Sequence, residues 1–247
     1  MKYDLSQPIS QRGIGEKDAE NQRIAEIADE LRRRSQIYEA ESGASQEHVS
    51  RFDAEQRSAE LYAKEKGMWI PMDEVFDLGL PGASGNENDI YTREDTVFKV
   101  NNLLNSGSIV NLLEKVILHN SIFPDTFYYF IGFAGYDGRS VMPVLQQDLV
   151  KDAQPATPIE IETYMAAIGF TKKNNEGRFT NNMYEVWDLV PRNVLKDNDG
   201  DIYVVDAEIK GLWQDCYLTW VHKSPFCVQF IKNVNGVMIF LANRYIS

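Results

Sequence analysis

Between Ala19 and Glu41, apolar Ile24, Ile27, Ala28, Leu31 and Tyr38 recur at helical spacing among charged residues, which predicts an amphipathic helix. A second helix is expected after Gly43, with Ser45 as N-cap, a body through Phe52, Ala59, Leu61 and Tyr62, and Gly67 as its stop. From Met68 the pattern shortens. Asp89 to Tyr91 and Thr96 to Val100 read as two strands joined by the polar turn Thr92 to Asp95. Leu112, Leu113, Val116 and Ile117 keep helical spacing within a segment from Ile109 to Phe123 that Pro124 ends. Strands follow at Phe127 to Phe133 and Ser140 to Leu145, around the turn Gly135 to Arg139, and then a helix from Ile159 to Ile168 stopped by Gly169. Further on, Val194 and Leu195 are expected to pair with Tyr203 to Val205 around the turn Asp197 to Gly200.

The 247 residues carry 25 Lys and Arg against 37 Asp and Glu, a formal net charge of −12. This balance argues against a general nucleic-acid binder, which needs cations to displace counterions from phosphates. The triple Arg32, Arg33 and Arg34 sits among Asp29, Glu30, Glu39 and Glu41 and reads as a solvated face. Cys216 and Cys227 have no metal-ligand spacing, and a reducing, cytoplasmic setting is the expectation. The start MKYDLSQPIS lacks an apolar run, and the uncharged stretch from Asn233 to Asn243 is too short to cross a bilayer, so no membrane association is expected. His48, His119 and His222 show no paired-ligand spacing, and His119 reads as a hydrogen-bonded structural residue. The run Asp197 to Asp201 lacks the glycine a calcium loop requires and reads as a hairpin turn.

The chemistry concentrates between Asp188 and Glu208. Asp188 and Asn193 lie five apart in a segment broken by Pro191, and Asp206 ends the strand that follows. Phosphoryl transfer uses such a set: one carboxylate orients the attacking hydroxyl, while an amide oxygen and a second carboxylate hold magnesium against the phosphates.

In type and order these residues resemble the catalytic loop and metal-binding aspartate of protein kinases, with DLVPRN at Asp188 to Asn193 similar to the common DLKPEN form. More narrowly, the chain resembles the kinase-like domain family of phage and mobile-element polyvalent proteins. SGNENDIY at Ser84 to Tyr91, VFKV at Val97 to Val100, LHNSIFP at Leu118 to Pro124, YMAAIGF at Tyr164 to Phe170 and DLVPRNVL at Asp188 to Leu195 carry the resemblance. Over about Met68 to Glu208 it implies an α+β, two-lobed kinase-like fold with an N-lobe over 68–146 and a reduced C-lobe within 147–247, while the helical pattern before it reads as an N-terminal arm over residues 1–67 and the aromatic residues after it as an atypical tail. The resemblance further implies ATP and magnesium as cofactors. Asp188 and Lys99 would be catalytic, Asn193 and Asp206 would hold the metal, and Gly82, Ser84, Gly85, Lys99 and Glu114 would bind the nucleotide, with Glu114 pairing with Lys99. The acceptor, protein or small molecule, stays open.

The departures are equally specific. Val186 and Trp187 replace the usual His and Arg, Val190 replaces the lysine two residues past the aspartate, and Asp206 is followed by Ala207 and Glu208 instead of Phe and Gly. A regulated activation segment is not expected. These losses keep two alternatives in play: a catalytically weak or inactive pseudokinase-like nucleotide-binding or interaction module of a mobile element, and a small-molecule kinase. Under the leading reading Asp188→Ala abolishes transfer from ATP whereas Glu208→Ala keeps it.

Overall fold

A computed structural model describes residues 14–44, 49–138, 140–174, 176–212, 228–231 and 239–242. The chain opens with two helices, α1 (Ile14–Ala44) and α2 (Arg51–Lys66). The α1 stripe Ile24, Ile27, Ala28 and Leu31 is buried, as its spacing requires. The N-cap of α2 is Ser50, whose hydroxyl accepts from the Asp53 amide at 3.1 Å. The expected cap, Ser45, lies outside the described residues. Gly67 ends α2 in the left-handed conformation, φ 65°, with its N–H on the Ala63 and Lys64 carbonyls.

A six-stranded sheet follows in the order β1-β5-β6-β4-β3-β2. Its strands are β1 (Trp69–Pro71), β2 (Leu80–Pro81), β3 (Asn88–Arg93), β4 (Thr96–Asn101), β5 (Tyr129–Gly135) and β6 (Val141–Asp148). Pairing is antiparallel except for β1, which joins β5 in parallel. Gly132 is required there, because a Cβ would stand 2.3 Å from the Met68 carbonyl oxygen. The β3–β4 turn is tighter than expected, closing on Glu94 and Asp95 with Glu94 at φ 51°.

Alternation along β4 sends Phe98 and Val100 to one face and Lys99 to the other. Phe98 and Val100 pack with Val75 from the 3₁₀ turn Met72–Leu78. The opposite face receives α3 (Ile109–Ile122), capped by Ser108, and both N-terminal helices pack into the same core.

Polar side chains seal this junction. Glu20 is wholly buried and accepts the Phe130 amide at 2.9 Å, beside a register shift between Phe130 and Gly132. Arg23 binds both oxygens of Glu20, at 2.7 and 2.8 Å, and also donates to the Phe130 carbonyl. Gln56 satisfies the Val141 amide and carbonyl in the same manner, and Glu55 accepts the Val110 amide at the start of α3.

The rest of the described chain builds a second core. It contains β7 (Gln154–Pro155), α4 (Pro158–Ala167), β8 (Thr171–Asn174), β9 (Arg178–Thr180), β10 (Tyr184–Trp187), β11 (Val194–Lys196), β12 (Ile202–Val204) and β13 (Glu208–Gly211). A capping box between Thr157 and Glu160 starts α4. The strands form two sheets, β13-β10-β9-β8 and β12-β11-β7. The expected hairpin is present in register, with Val194 opposite Val204 and Leu195 opposite Tyr203. Finally β14 (Val228–Ile231) and β15 (Ile239–Ala242) pair antiparallel. Most of the aromatic tail, including Trp213, Tyr217, Trp220, Phe226 and both cysteines, lies outside the described residues. No described helix is long and apolar enough to cross a membrane.

Replacing Glu20 by Ala removes the acceptor of the Phe130 amide and the buried carboxylate that Arg23 binds through two bonds. A loss of about 3 kcal/mol in urea-unfolding stability is expected, against less than about 1 kcal/mol for Lys172→Ala, which breaks the solvated Lys172–Glu162 pair.

Candidate active site

Mid-sheet β4 delivers Lys99 beneath the sheet, where the residue is only 7% exposed. Its ammonium donates to the Tyr128 hydroxyl at 2.6 Å and the Val205 carbonyl at 2.7 Å, and lies 4.9 Å from the Tyr128 ring centre. The Tyr128 hydroxyl also donates to the Val205 carbonyl. Burial pulls the Lys99 pKa below its ordinary value, and the Asp206 carboxylate opposes that shift. Burial and Asp206 push the Tyr128 phenol upward, so it stays a hydroxyl donor.

The β11–β12 hairpin then returns the chain beneath Lys99. The Val205 and Asp206 amides both point at the Asn193 carbonyl, at 3.0 and 3.4 Å, tying the end of the hairpin to the loop before it. In that loop Asp188 takes a left-handed conformation, φ 60°. Gly177, in the β8–β9 turn, supports the loop from behind: the Leu189 amide donates to its carbonyl, and a Cβ there would meet the Leu189 oxygen at 2.5 Å. Asn193 Nδ2 donates to the Asp188 carbonyl at 2.9 Å and to its carboxylate at 2.8 Å, while Arg192 holds the other carboxylate oxygen at 2.8 Å. Asn193 Oδ1 takes no part in these bonds and offers its lone pairs as an acceptor or ligand atom.

Lys99, Lys115, His119, Tyr128 and Asp206 line one cavity of about 20 Å³, the room of about one water molecule. Lys115 enters from α3. It pairs with Glu208 at 3.0 Å and Glu87 at 3.6 Å. Burial lowers its pKa, but Glu208, Glu87 and Asp206 outweigh burial and the net shift is upward. His119 Nε2 lies 3.0 Å from the Thr126 carbonyl, to which it can only donate, and 3.2 Å from the Thr126 hydroxyl, and burial next to the Lys99 charge holds its pKa down to about 3.

Lys99 and Asp206 therefore meet at one cavity, and Asp188 joins Asn193 in one hydrogen-bonded loop. Glu114 does not join them. Its carboxylate binds Arg32 of α1 at 2.6 Å on the outer side of α3, since one helical step turns a side chain by about 100° and brings Lys115 inward instead. Gly82, Ser84 and Gly85 lie in the exposed turn between β2 and β3. The Gly82 and Gly85 amides there are already bonded to the Ile90 and Asn88 carbonyls. Glu208 is no bystander either: bonded to Lys115, it cannot serve as a silent control. Tyr128 and Lys115 are absent from the sequence-based expectations, and Glu87 and Glu208, which those expectations contain, have there no link to Lys115. The one signal for Lys115 was its place on the apolar side of α3, three residues after Leu112.

A strand lysine facing an aspartate that ends a hairpin, with an Asp and Asn loop alongside, is the arrangement of a kinase-like protein. Residues 53–211 match the family model for a Serine/Threonine/Tyrosine Kinase found in polyvalent proteins. The match covers more than half of the chain, which belongs to that family of kinase-like phosphotransferases. No curated protein matches the sequence closely enough to count as a relative.

His119 makes a pH prediction. Its folded pKa lies below the ordinary histidine value of about 6.5, so the unfolded chain binds the extra proton between those two values. Its contribution to stability is present above pH about 6.5 and fades as pH falls toward 3, by up to about 1.4 kcal/mol per pH unit. Urea midpoints measured at pH 7, 6, 5 and 4 should fall more steeply for wild type than for His119→Gln.

Proposed function

We propose that the chain transfers the terminal phosphoryl group of magnesium–ATP to an acceptor hydroxyl. Lys99 turns its buried ammonium toward the phosphates. Asn193 Oδ1 and the Asp206 carboxylate hold magnesium, an all-oxygen donor set of the kind a hard cation prefers. Asp188, half-exposed and oriented by Asn193 and Arg192, aligns the acceptor hydroxyl and takes its proton. The bound cofactor supplies the phosphoryl group and the charge neutralisation of the transfer. The single observation that carries this reading is Lys99 and Asp206 lining one cavity while the Asp206 amide is tied to the Asn193 carbonyl.

In this reading residues 1–67 form a helical arm, 68–146 an N-lobe and 147–247 a reduced C-lobe, in a cytoplasmic polyvalent protein of a mobile genetic element. The acceptor is a protein or a small molecule. Two observations favour a second reading, a nucleotide-binding or interaction module without turnover: the Lys99 ammonium is already held by Tyr128 and Val205, and Val190 supplies no charge near the transferred group.

The test is a thermal shift with magnesium–ATP on wild type and Asp206→Ala, followed by label transfer from ATP. At a ligand concentration of about 100 Kd, wild type should gain about 2.7 kcal/mol of apparent stability, lost in Asp206→Ala. Asp188→Ala should retain the shift and lose transfer by about 10²-fold or more. A shift without transfer in wild type would favour the interaction module. No shift at millimolar ATP would sink the transfer reading and favour a nucleotide-free interaction module on a kinase-like scaffold.

A further inference from the structure

Around Asp206 the charged groups divide unexpectedly. Lys99, the residue implied to pair with an acid from α3, has a hydroxyl and a backbone carbonyl as its hydrogen-bond partners. The inward-facing charge of α3 is a cation, Lys115, with a side chain only 13% exposed. Its two partners come from separate elements. Glu87 ends the glycine-bearing turn between β2 and β3, and Glu208 begins β13, two residues beyond Asp206.

Neutral groups complete the junction. Asn105, in the loop leading into α3, donates to Glu87 at 2.9 Å and to Glu208 at 3.4 Å, and Ser106 donates to Glu87 at 3.3 Å. Glu87 is 6% exposed, so its carboxylate is held by the β4–α3 loop and by Lys115 with little help from water. Buried carboxylates demand such partners, and removing a shared cation leaves both acids facing each other uncompensated.

We propose that Lys115 is a positioning residue of the phosphate site. Its ammonium binds the glycine-bearing turn through Glu87 and the strand after Asp206 through Glu208, fixing both to the inner face of α3. This reverses the usual sign of a strand-lysine to helix-glutamate pair, since here the helix supplies the cation. Lys99 pairs with no α3 carboxylate, and with two of its three N–H groups on Tyr128 and Val205 it has the third for the ligand. The proposal rests on the phosphotransferase reading for its purpose, whereas the tie between the three elements can be tested without nucleotide.

The experiment is amide hydrogen exchange on the full nucleotide-free chain. Lys115→Met should speed exchange about tenfold in both segments 82–88 and 208–211, and Lys115→Arg should restore both. Unchanged protection in Lys115→Met, or no restoration by Lys115→Arg, overturns the proposal. Should Lys115→Met fail to fold, Glu87→Gln is expected to loosen the turn and Glu208→Gln the strand. Wild-type protection in both of these variants overturns it equally.

Magnesium–ATP affinity is then measured on the same proteins. Lys115→Met should weaken it about tenfold and Lys115→Arg should recover it, and an unchanged affinity overturns the assignment to the phosphate site. Absence of binding by wild type overturns the phosphotransferase reading instead, and exchange alone then decides the tie.

Discussion

Placing the Lys99 ammonium under the sheet costs several kcal/mol of lost hydration unless the surrounding groups are arranged to receive it. Those groups reach back through much of the molecule. Tyr128 receives the ammonium and is itself pinned by Asn120, whose side chain accepts the Tyr128 amide at 2.7 Å and donates to its carbonyl at 2.9 Å. Asn120 also donates to Asn21 of α1 at 2.9 Å. Below, the Val205 carbonyl that receives Lys99 belongs to a residue whose amide is bonded to Asn193, and Asn193 holds Asp188. One hydrogen-bonded path therefore runs from the first helix, through α3 and Lys99, to the loop that bears Asp188.

That path gives the N-terminal helices a role in the site as well as in the core. The family match begins at residue 53, inside α2, so α1 lies wholly outside it. Even so, Ile24, Ile27 and Leu31 fill the same core as Leu112 and Leu113 of α3, and Glu20 accepts an amide at the irregular point of β5. Arg32 meets Glu114 on the outer side of α3 while Lys115 meets two acids on the inner side. The helix that borders the Lys99–Asp206 cavity is thus held from both flanks, and its position depends on side chains of α1.

What the sequence could disclose follows physical locality. The β11–β12 hairpin was legible because Asp197 to Gly200 is a turn whose chemistry is local, and its flanking apolar residues fix the register. The left-handed stop at Gly67 and the helix ending before Pro124 were legible for the same reason. Asp188, Asn193 and Asp206 were legible as a set because their spacing is a short-range property of one loop and one hairpin. By contrast, β8, β9 and β10 are short and polar on one side, and their sheet exists through pairing with β13, which no local pattern announces. Glu114 and Lys115 differ by one position, and which of them faces inward depends on how α3 rolls against α1 and the sheet. Tyr128 as the partner of Lys99 is a contact between residues 29 apart and left no periodic trace.

The charge pattern around the cavity constrains what can bind there. Two cations, Lys99 and Lys115, face three carboxylates, those of Glu87, Asp206 and Glu208, so the set is net negative by one charge. Arg192 and Asp188 neutralise each other alongside. A polyphosphate brought to this set alone would meet repulsion from Asp206 that opposes its attraction to Lys99. A divalent cation, if Asp206 held one, would reverse that balance, because its own charge would become the largest in the site. The sign of the set therefore disfavours a bare polyanion, and Lys115, held between Glu87 and Glu208, has its charge already committed within the fold.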